Sequence, residues 1–510
     1  MNDAGAALES GARKPWRDLR EWLALVEGLG ELQRIAAPVD PHEEIGAVTF
    51  MGSREVPSPA FLFEAFSGAA AANPYGARVL TNMLGSSASR YALAVGLDPT
   101  LSLPELVQAT RQITKRRVAP VHVGHNACPV DEIVLEGSDI DLTKLPVPKF
   151  WPLDGGPFIG TGGLTITADP RTGRLNVGCY RQQLMGPRRI GLNFVPGRHG
   201  ESDVLAQWAQ GRPAEVVCAF GVDPALFMVA GNKFGAGESE LDAAGGIMQA
   251  GVELTRARHV NLPIPARAEI VIEGTVTQGD VETEGPLGEF HGFYSGGSSR
   301  KPVVEVKAVH MRARPIITGA LMATWPSCEN GTFMAVMRSA RIMDDLDRMG
   351  VPGIRAVYCH PTAAAGQCLA VVSLKQAYPG HVGQALSLTA QCPAAAYYTK
   401  WIVAVDEDVD PTSLDEVFWA MATRCNPAED LDILRKAMTF RADPSVPAED
   451  KPFGSKVLVD ACTPWKGVGK PPIRTLLRRS VHDRVRERWS ELGMRGRPPQ
   501  LAALLEAEEK

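Results

Sequence analysis

The chain is poor in the features that would assign it to a specialised class. Nine cysteines, Cys128, Cys179, Cys218, Cys328, Cys359, Cys368, Cys392, Cys425 and Cys462, are scattered through 510 residues, odd in number and never in a CxxC pair. No disulfide framework can be read from them, and they suit a reducing cytoplasm. An excess of one charge is also missing. With 53 Lys and Arg against 58 Asp and Glu, the formal net charge is −5. The chain as a whole therefore has no electrostatic footprint for nucleic acid or an anionic membrane, and any basic site must be local. Long apolar runs are lacking as well. The longest uncharged stretch, Ala377 to Thr399, contains Pro379, Gly380, His381, Gln384, Gln391 and Pro393; a spanning helix would not readily carry these, so no membrane span is expected. The first residues include Asp3 and Glu9 without an apolar core, unlike a signal peptide. There is no internal repeat, and the Ala-rich Gly68 to Asn73 is the one biased tract. The expectation is a cytoplasmic globular protein of about three domains.

Hydrophobic periodicity sets the order of those domains. Leu19, Trp22, Leu23 and Val26 recur at helical spacing and close at Gly30; a strand is expected in GELQRI, a helix after Asp40-Pro41, a strand at Ala60 to Phe63 and a helix from about Ser87. This alternation predicts an α/β domain over 1–119. From 120 to 325 short β-prone runs such as GGLTITADPRTGRLNVGCY and EIVIEGTVTQGD are punctuated by Gly and Pro, with a hairpin at Pro170 to Gly173; they indicate a β-rich barrel or sandwich. From 326 to 470 the pattern returns to α/β: helical FMAVMRSARIMDDLDRMG, strand-like VPGIRAVYCH, CLAVVSLKQ and KWIVAVDEDVD, and a helix after Asp410 to Asp415. An arm over 471–510 spaces Leu477, Val481, Val485 and Trp489 helically among Arg478, Arg479, Arg484, Arg486 and Arg488. Asp483, Glu487 and Glu491 interleave, which favours an amphipathic helix docked on its own fold or a sister subunit over a nucleic-acid arm.

Three stretches could carry chemistry. VETEGPLGEFHGF places Glu284 and Glu289 on either side of a Gly-Pro-Leu-Gly turn. Proline and glycine can hold two acids in one geometry, and two acids held close can divide acid and base roles. An acidic turn beside Asp280 and Glu282 also reads as solvated surface. The span Arg171 to Gly200 gathers Asn176, Arg181, Arg188, Arg189, Arg198 and His199, where arginines suit a phosphate and Asn and His a divalent ion bridging it. In GAGESELDAAGG, Glu238, Glu240 and Asp242 alternate. One of them with Asn and His would make a hard set for Mn²⁺ or Mg²⁺, whereas all three also suit the start of a helix.

The combination of NVGCYRQQL, Arg198-His199, ESELDAAGG, EGPLGE, YTKWIVAVDEDVD and WAMATRCNP, in this order and nearly end to end, resembles the UbiD family of prenylated-flavin-dependent decarboxylases. The resemblance implies a mixed α/β protein with an N-terminal α/β domain, a central split β-barrel carrying prenylated FMN and a C-terminal α/β oligomerisation domain, assembled as a homodimer or homohexamer. It implies that Asn176, His199 and Glu240 hold Mn²⁺ or Mg²⁺ against the cofactor phosphate, with K⁺ nearby. Cys179, Tyr180 and Arg181 match the flavin-contacting run, and Arg198 and Lys400 join the cofactor contacts. Arg181, Glu284 and Glu289 match the catalytic trio: Arg181 orients the substrate carboxylate, Glu284 pairs with Arg181, and Glu289 supplies a proton to the carbon that lost CO₂.

The implied reaction is a reversible, non-oxidative decarboxylation of an aromatic, heteroaromatic or α,β-unsaturated acid, with a flavin prenyltransferase supplying the cofactor. Enzymes of ubiquinone synthesis acting on 4-hydroxy-3-polyprenylbenzoate often carry Asp at the position of Glu289 and a different following pair from Phe290-His291, which argues against that substrate. Val195, Phe290, His291, Trp325 and the run Cys328-Glu329-Asn330 are candidates for the substrate pocket. Two readings outside the family are a metal-dependent hydrolase using Glu284 and Glu289 on water, and an interaction protein using the basic arm.

Overall fold

Asp18 ends extended chain and accepts the Glu21 N–H at its side chain, capping the helix Leu19–Gly28, whose buried face is Leu19, Trp22, Leu23 and Val26. This is the first element of the computed structural model, which describes residues 16–232, 234, 237–294, 297–467, 472–496, 498, 499, 501 and 503–505. Asp3, Glu9, the Gly235-Ala236 start of the acidic motif and Pro471 lie outside the described residues.

The chain divides into two compact units, residues 1–337 with 361–366, and residues 338–360 with 367–510. In the first, the strands Leu32–Ile35, Ala60–Phe63 and Arg78–Thr81 form a sheet whose fourth strand, Ile316–Gly319, comes from far along the chain and pairs parallel with Arg78–Thr81. The N-terminal stretch therefore shares a sheet with the central one. Buried ion pairs reinforce the join: Arg20 donates twice to the fully buried Glu269 at 2.8 Å, and Arg312 donates to Asp18 at 2.9 Å.

The rest of this unit is built on an eight-stranded sheet. Two long strands, Ile270–Glu284 and Ser299–Met311, run antiparallel at its centre, flanked by Ala214–Phe220 and Gly163–Ala168 on one side and by Arg189–Leu192 and Gln182–Gly186 on the other. The hairpin expected at Pro170 to Gly173 joins Gly163–Ala168 to Leu175–Gly178. The strand path is open and does not close into a barrel. Val216, Phe220, Ile272 and Val304 share its core, a burial that supplies most of the driving force.

Within that core one polar cluster makes stability depend on pH. His310 is fully buried; its Nδ1 lies 2.6 Å from Asp131 and its Nε2 2.7 Å from Glu273, while Asp131 also meets His125 at 2.6 Å and Glu273 accepts the Arg258 and His259 amides at 2.7 Å. Burial opposes the imidazolium, but the two carboxylates outweigh it and hold the His310 pKa above the ordinary 6.5. Burial likewise pushes Asp131 and Glu273 up, and their partners bring both below their ordinary 3.8 and 4.5. The contribution of His310 is thus complete below pH 6.5 and is lost as pH rises through its raised folded value; those of the two acids are present above their ordinary values and are lost as pH falls through the lowered ones. Thermal melts from pH 4 to 9 are expected to show an alkaline decline that is weaker in His310→Gln, and an equal decline in both proteins would remove His310 as its source.

In the second unit a five-stranded sheet takes the order Ile354–Cys359, Leu369–Leu374, Trp401–Asp406, Phe453–Ala461, Leu431–Met438, with Val371, Val403, Val405 and Val459 in its core. The helix Leu414–Arg424 starts at Ser413, whose side chain accepts the Glu416 N–H. The terminal arm departs from expectation. Its helix covers only Arg479–Glu487, so Leu477 and Trp489 fall outside it, Val485 is exposed and His482 is the residue buried. Apolar spacing alone overstates a helix whose other residues are mostly charged and which has no broad apolar stripe to bury. Among the described residues no helix is long and apolar enough to cross a membrane.

Candidate active site

The two long strands of the first unit end in a pair between Glu284 and Ser299, so Glu284 is the last residue of its strand and Glu289 lies in the loop that follows. Gly285 adopts φ +80°, a conformation other residues resist, and its N–H donates to Gln183 Oε1 at 2.8 Å. Gly288 lies so close to Trp151 that a Cβ there would fall 2.3 Å from the indole ring. Its N–H donates to Asp154 at 3.0 Å. Glu289 then opens a tight turn, donating its N–H to Phe293 O at 3.0 Å while its carbonyl accepts the Gly292 N–H at 2.9 Å.

Arg181 joins the acids. Its Nε and Nη2 donate to the two oxygens of Glu284 at 2.7 and 2.9 Å, and its Nη1 reaches Glu289 Oε1 at 3.4 Å. Glu284 is fully buried and also accepts from Asn193 Nδ2 at 3.3 Å; Arg181 and Glu289 retain 15% and 17% exposure. Asp280 and Glu282 instead pair with Arg189 at the surface. One acidic stretch thus contains both the solvated turn and the buried acid pair, and Arg181 and Arg189 sort the four carboxylates between them. The arrangement is a fixed cation with one tightly bound acid and one more loosely held acid.

Next to Arg181 in sequence, Asn176, Cys179 and Tyr180 line a cavity of about 250 Å³ together with Val195, Arg198, His199 and Glu240. His199 and Glu240 are the first residues of the helices His199–Trp208 and Glu240–Met248, so the positive ends of two helices open on the cavity, which suits an anionic group. Asn176 is buried and its Nδ2 donates to Thr167 Oγ1 at 3.1 Å, which leaves its amide oxygen as the remaining polar atom. Of the three alternating acids, Glu238 is exposed and pairs with Arg117, Asp242 bonds the capping Ser239, and Glu240 is buried. Burial pushes the Glu240 carboxyl upward, and no cationic side chain pairs with it among the described residues. An uncompensated buried carboxylate beside an amide oxygen and an imidazole fits a hard divalent cation. Burial pushes the Cys179 thiol up to about 12, so it is a neutral wall rather than a nucleophile.

Models of three domains of one enzyme family match in register. Residues 23–110 match the N-terminal domain, 121–325 the Rift-related domain and 331–461 the C-terminal domain of 3-octaprenyl-4-hydroxybenzoate carboxy-lyase, UbiD. The chain belongs to the UbiD family. Among solved UbiD-class structures it is similar to the enzyme HmfF of Pelotomaculum thermopropionicum in complex with FMN, at 30% identity over 90% of this chain and 97% of that one, TM-score 0.79; an evolved dimeric form of HmfF is in complex with prFMN. It is also similar to the vanillic acid decarboxylase of Sedimentibacter hydroxybenzoicus in open form, at 28% identity over 94% and 99%, TM-score 0.81. A third is the apo 3,4-dihydroxybenzoic acid decarboxylase of Klebsiella pneumoniae, at 28% over 90% and 97%, TM-score 0.79. As a UbiD-family member the chain is a carboxy-lyase.

The remaining candidates of this UbiD chain fall in different places. Val195 is on the cavity wall and 43% exposed. Phe290 is buried and lies against His291, ring centroids 5.4 Å apart, directly after Glu289. Trp325 covers Gly331, where a Cβ would fall 2.7 Å from its ring. Glu329 is buried and accepts the Met83 and Leu84 amides at 2.8 and 2.7 Å, tying its loop to the N-terminal segment. Cys328, buried and pushed up to about 12 chiefly by desolvation, has Glu289 among the charges it feels. Lys400 belongs to the second unit, where its ammonium donates to Asp443 at 2.7 Å and Ser445 at 2.6 Å. Arg171 and Arg189 are engaged by acids near the surface and Arg188 is exposed. Asp154, Gln183 and Asn193, which hold the loop and Glu284, were not legible as site residues; the one available signal was the Asp-Gly-Gly turn at Asp154.

Proposed function

We propose that this UbiD-family chain is a prenylated-FMN-dependent, non-oxidative decarboxylase of an aromatic acid. The observation that carries the reading is one guanidinium, Arg181, shared between a fully buried acid and a partly exposed one. The flavin complexes of HmfF and the aromatic acids named for the other two relatives support it. When bound, the prenylated flavin supplies an electron sink for the carbon that loses CO₂. Arg181 orients the substrate carboxylate by charge-assisted hydrogen bonds, Glu284 holds Arg181 in place, and Glu289 delivers the proton to the decarboxylated carbon. Asn176, His199 and Glu240 would hold Mn²⁺ or Mg²⁺, and K⁺ is the second cation that the family resemblance implies. Arg198 and the two helix N-termini would hold the phosphate, beside Cys179 and Tyr180, and Lys400 is kept as a further cofactor contact on the family resemblance. Val195, Phe290, His291 and Trp325 remain the proposed substrate contacts. A homo-oligomer in the cytoplasm fits the second unit's exposed Ile433, Met438 and Phe453.

The test is protein produced with and without a flavin prenyltransferase and assayed for CO₂ release on a panel of aromatic, heteroaromatic and α,β-unsaturated acids. Flavin-like absorption and release of CO₂ from at least one acid by the loaded protein alone are expected. Chelator-sensitive hydrolysis by flavin-free protein, with no CO₂ from any acid, would replace the decarboxylase with a hydrolase.

A further inference from the structure

We propose that Asp154 is a positioning residue for Glu289, fixing the loop that presents the acid by holding the Gly288 amide; the inference rests on Glu289 being the proton donor. Asp154 is 5% exposed and both of its oxygens are used: Oδ1 accepts the Gly288 N–H at 3.0 Å and Oδ2 the Trp151 N–H at 2.9 Å. A buried carboxylate with no ion pair among the described residues is costly: burial pushes the Asp154 pKa up, and the hydrogen bonds from the Gly288 and Trp151 amides pull against it. The segment around it is the bed on which the acid-bearing loop lies. The Gly155 N–H donates to Pro286 O at 2.9 Å, and a Cβ at Gly155 would fall 2.2 Å from Gly285 O. Gln183 clamps the same two segments from the other side, donating to Gly155 O at 3.1 Å and accepting the Gly285 N–H at 2.8 Å. Glycines permit this approach; Asp154 and Gln183 give it a fixed register.

Glu289 follows directly after the last clamped amide, and its contact with Arg181, at 3.4 Å, is the longest in the trio. Its place is therefore set by the loop more than by the guanidinium. A displacement of about 1 Å at a reacting group costs on the order of 10²-fold in rate.

The test compares the full-length wild type with Asp154→Asn, Glu289→Gln and the double variant, by hydrogen exchange on the flavin-free proteins and by turnover on the loaded ones. Asp154→Asn is expected to speed exchange in the peptide over residues 285–292 and to lower kcat about 10- to 100-fold with KM little changed. Added to Glu289→Gln, it should lower kcat no further. Unchanged exchange in that peptide, or a full additional loss in the double variant, would overturn the proposal. Wild-type turnover in Glu289→Gln alone would refute the proton-donor reading instead, and that result does not involve Asp154. Where Asp154→Asn does not fold, Gln183→Leu cuts the parallel clamp at Gly285. The same coupling to Glu289→Gln then supports the clamped loop, and independent losses sink it.

Discussion

Glu289→Gln is expected to lose about 10²- to 10⁴-fold in turnover while folding as the wild type does and binding substrate with little change in KM. The substitution keeps the size and the acceptor oxygen facing Arg181 but removes the exchangeable acid proton. Its effect on the fold is small because Glu289 is partly exposed and its ion pair is the long one of the trio, 3.4 Å against 2.7 and 2.9 Å for Glu284. Substrate binding survives because Arg181 is oriented by Glu284 and not by Glu289. The step that fails is protonation of the carbon after CO₂ has left, so the loss should fall on kcat. Glu289→Asp keeps an acid one methylene short and should lie between the two. CO₂ release under saturating substrate, with deuterium incorporation into the product in D₂O, measures the step; a Glu289→Gln enzyme within a few-fold of wild type would assign the proton to another donor.

How far the sequence reached can be judged at single positions. Local signals placed element ends closely. The strand Ala60–Phe63 and the helix starting after Ser87 came from turn residues and a capping side chain, because propensity and capping act over a few residues. Family register brought Asn176, Arg198, His199 and Glu240 to one cavity, whereas their spacing alone left Glu240 indistinguishable from Glu238 and Asp242. What separates those three is burial, a property of packing that a short window does not encode. Asp154 was missed for a related reason: its partner Gly288 lies 134 residues away, and neither its own Asp-Gly-Gly turn nor the Gly-Pro-Leu-Gly turn says that the two meet. The terminal arm differs in extent: its described helix is Arg479–Glu487, shorter than the span over which Leu477 to Trp489 keep helical spacing.

Glu284 is where stability and catalysis meet, and they can be pulled apart. Glu284→Gln leaves the Arg181 guanidinium, only 15% exposed, facing a neutral amide in place of two carboxylate oxygens. Removing one partner of a buried pair typically costs about 3–5 kcal/mol, and the long contact of Arg181 with Glu289 offsets only part of that. Denaturant melts should show that loss, and turnover should collapse as well, since an arginine released from Glu284 would turn to Glu289 and neutralise the acid meant to donate. Arg181→Ala leaves the fully buried Glu284 with Asn193 as its remaining side-chain partner among the described residues. The double variant Arg181→Met, Glu284→Leu removes both charges and refills the space with apolar atoms, and such swaps are often neutral or stabilising. It should therefore regain most of the stability lost by either single variant while releasing no CO₂ above the uncatalysed rate. If the pair were only a structural strut, the repacked protein would recover activity along with stability; a stable, inactive double variant would show that the buried charge is kept for the substrate carboxylate.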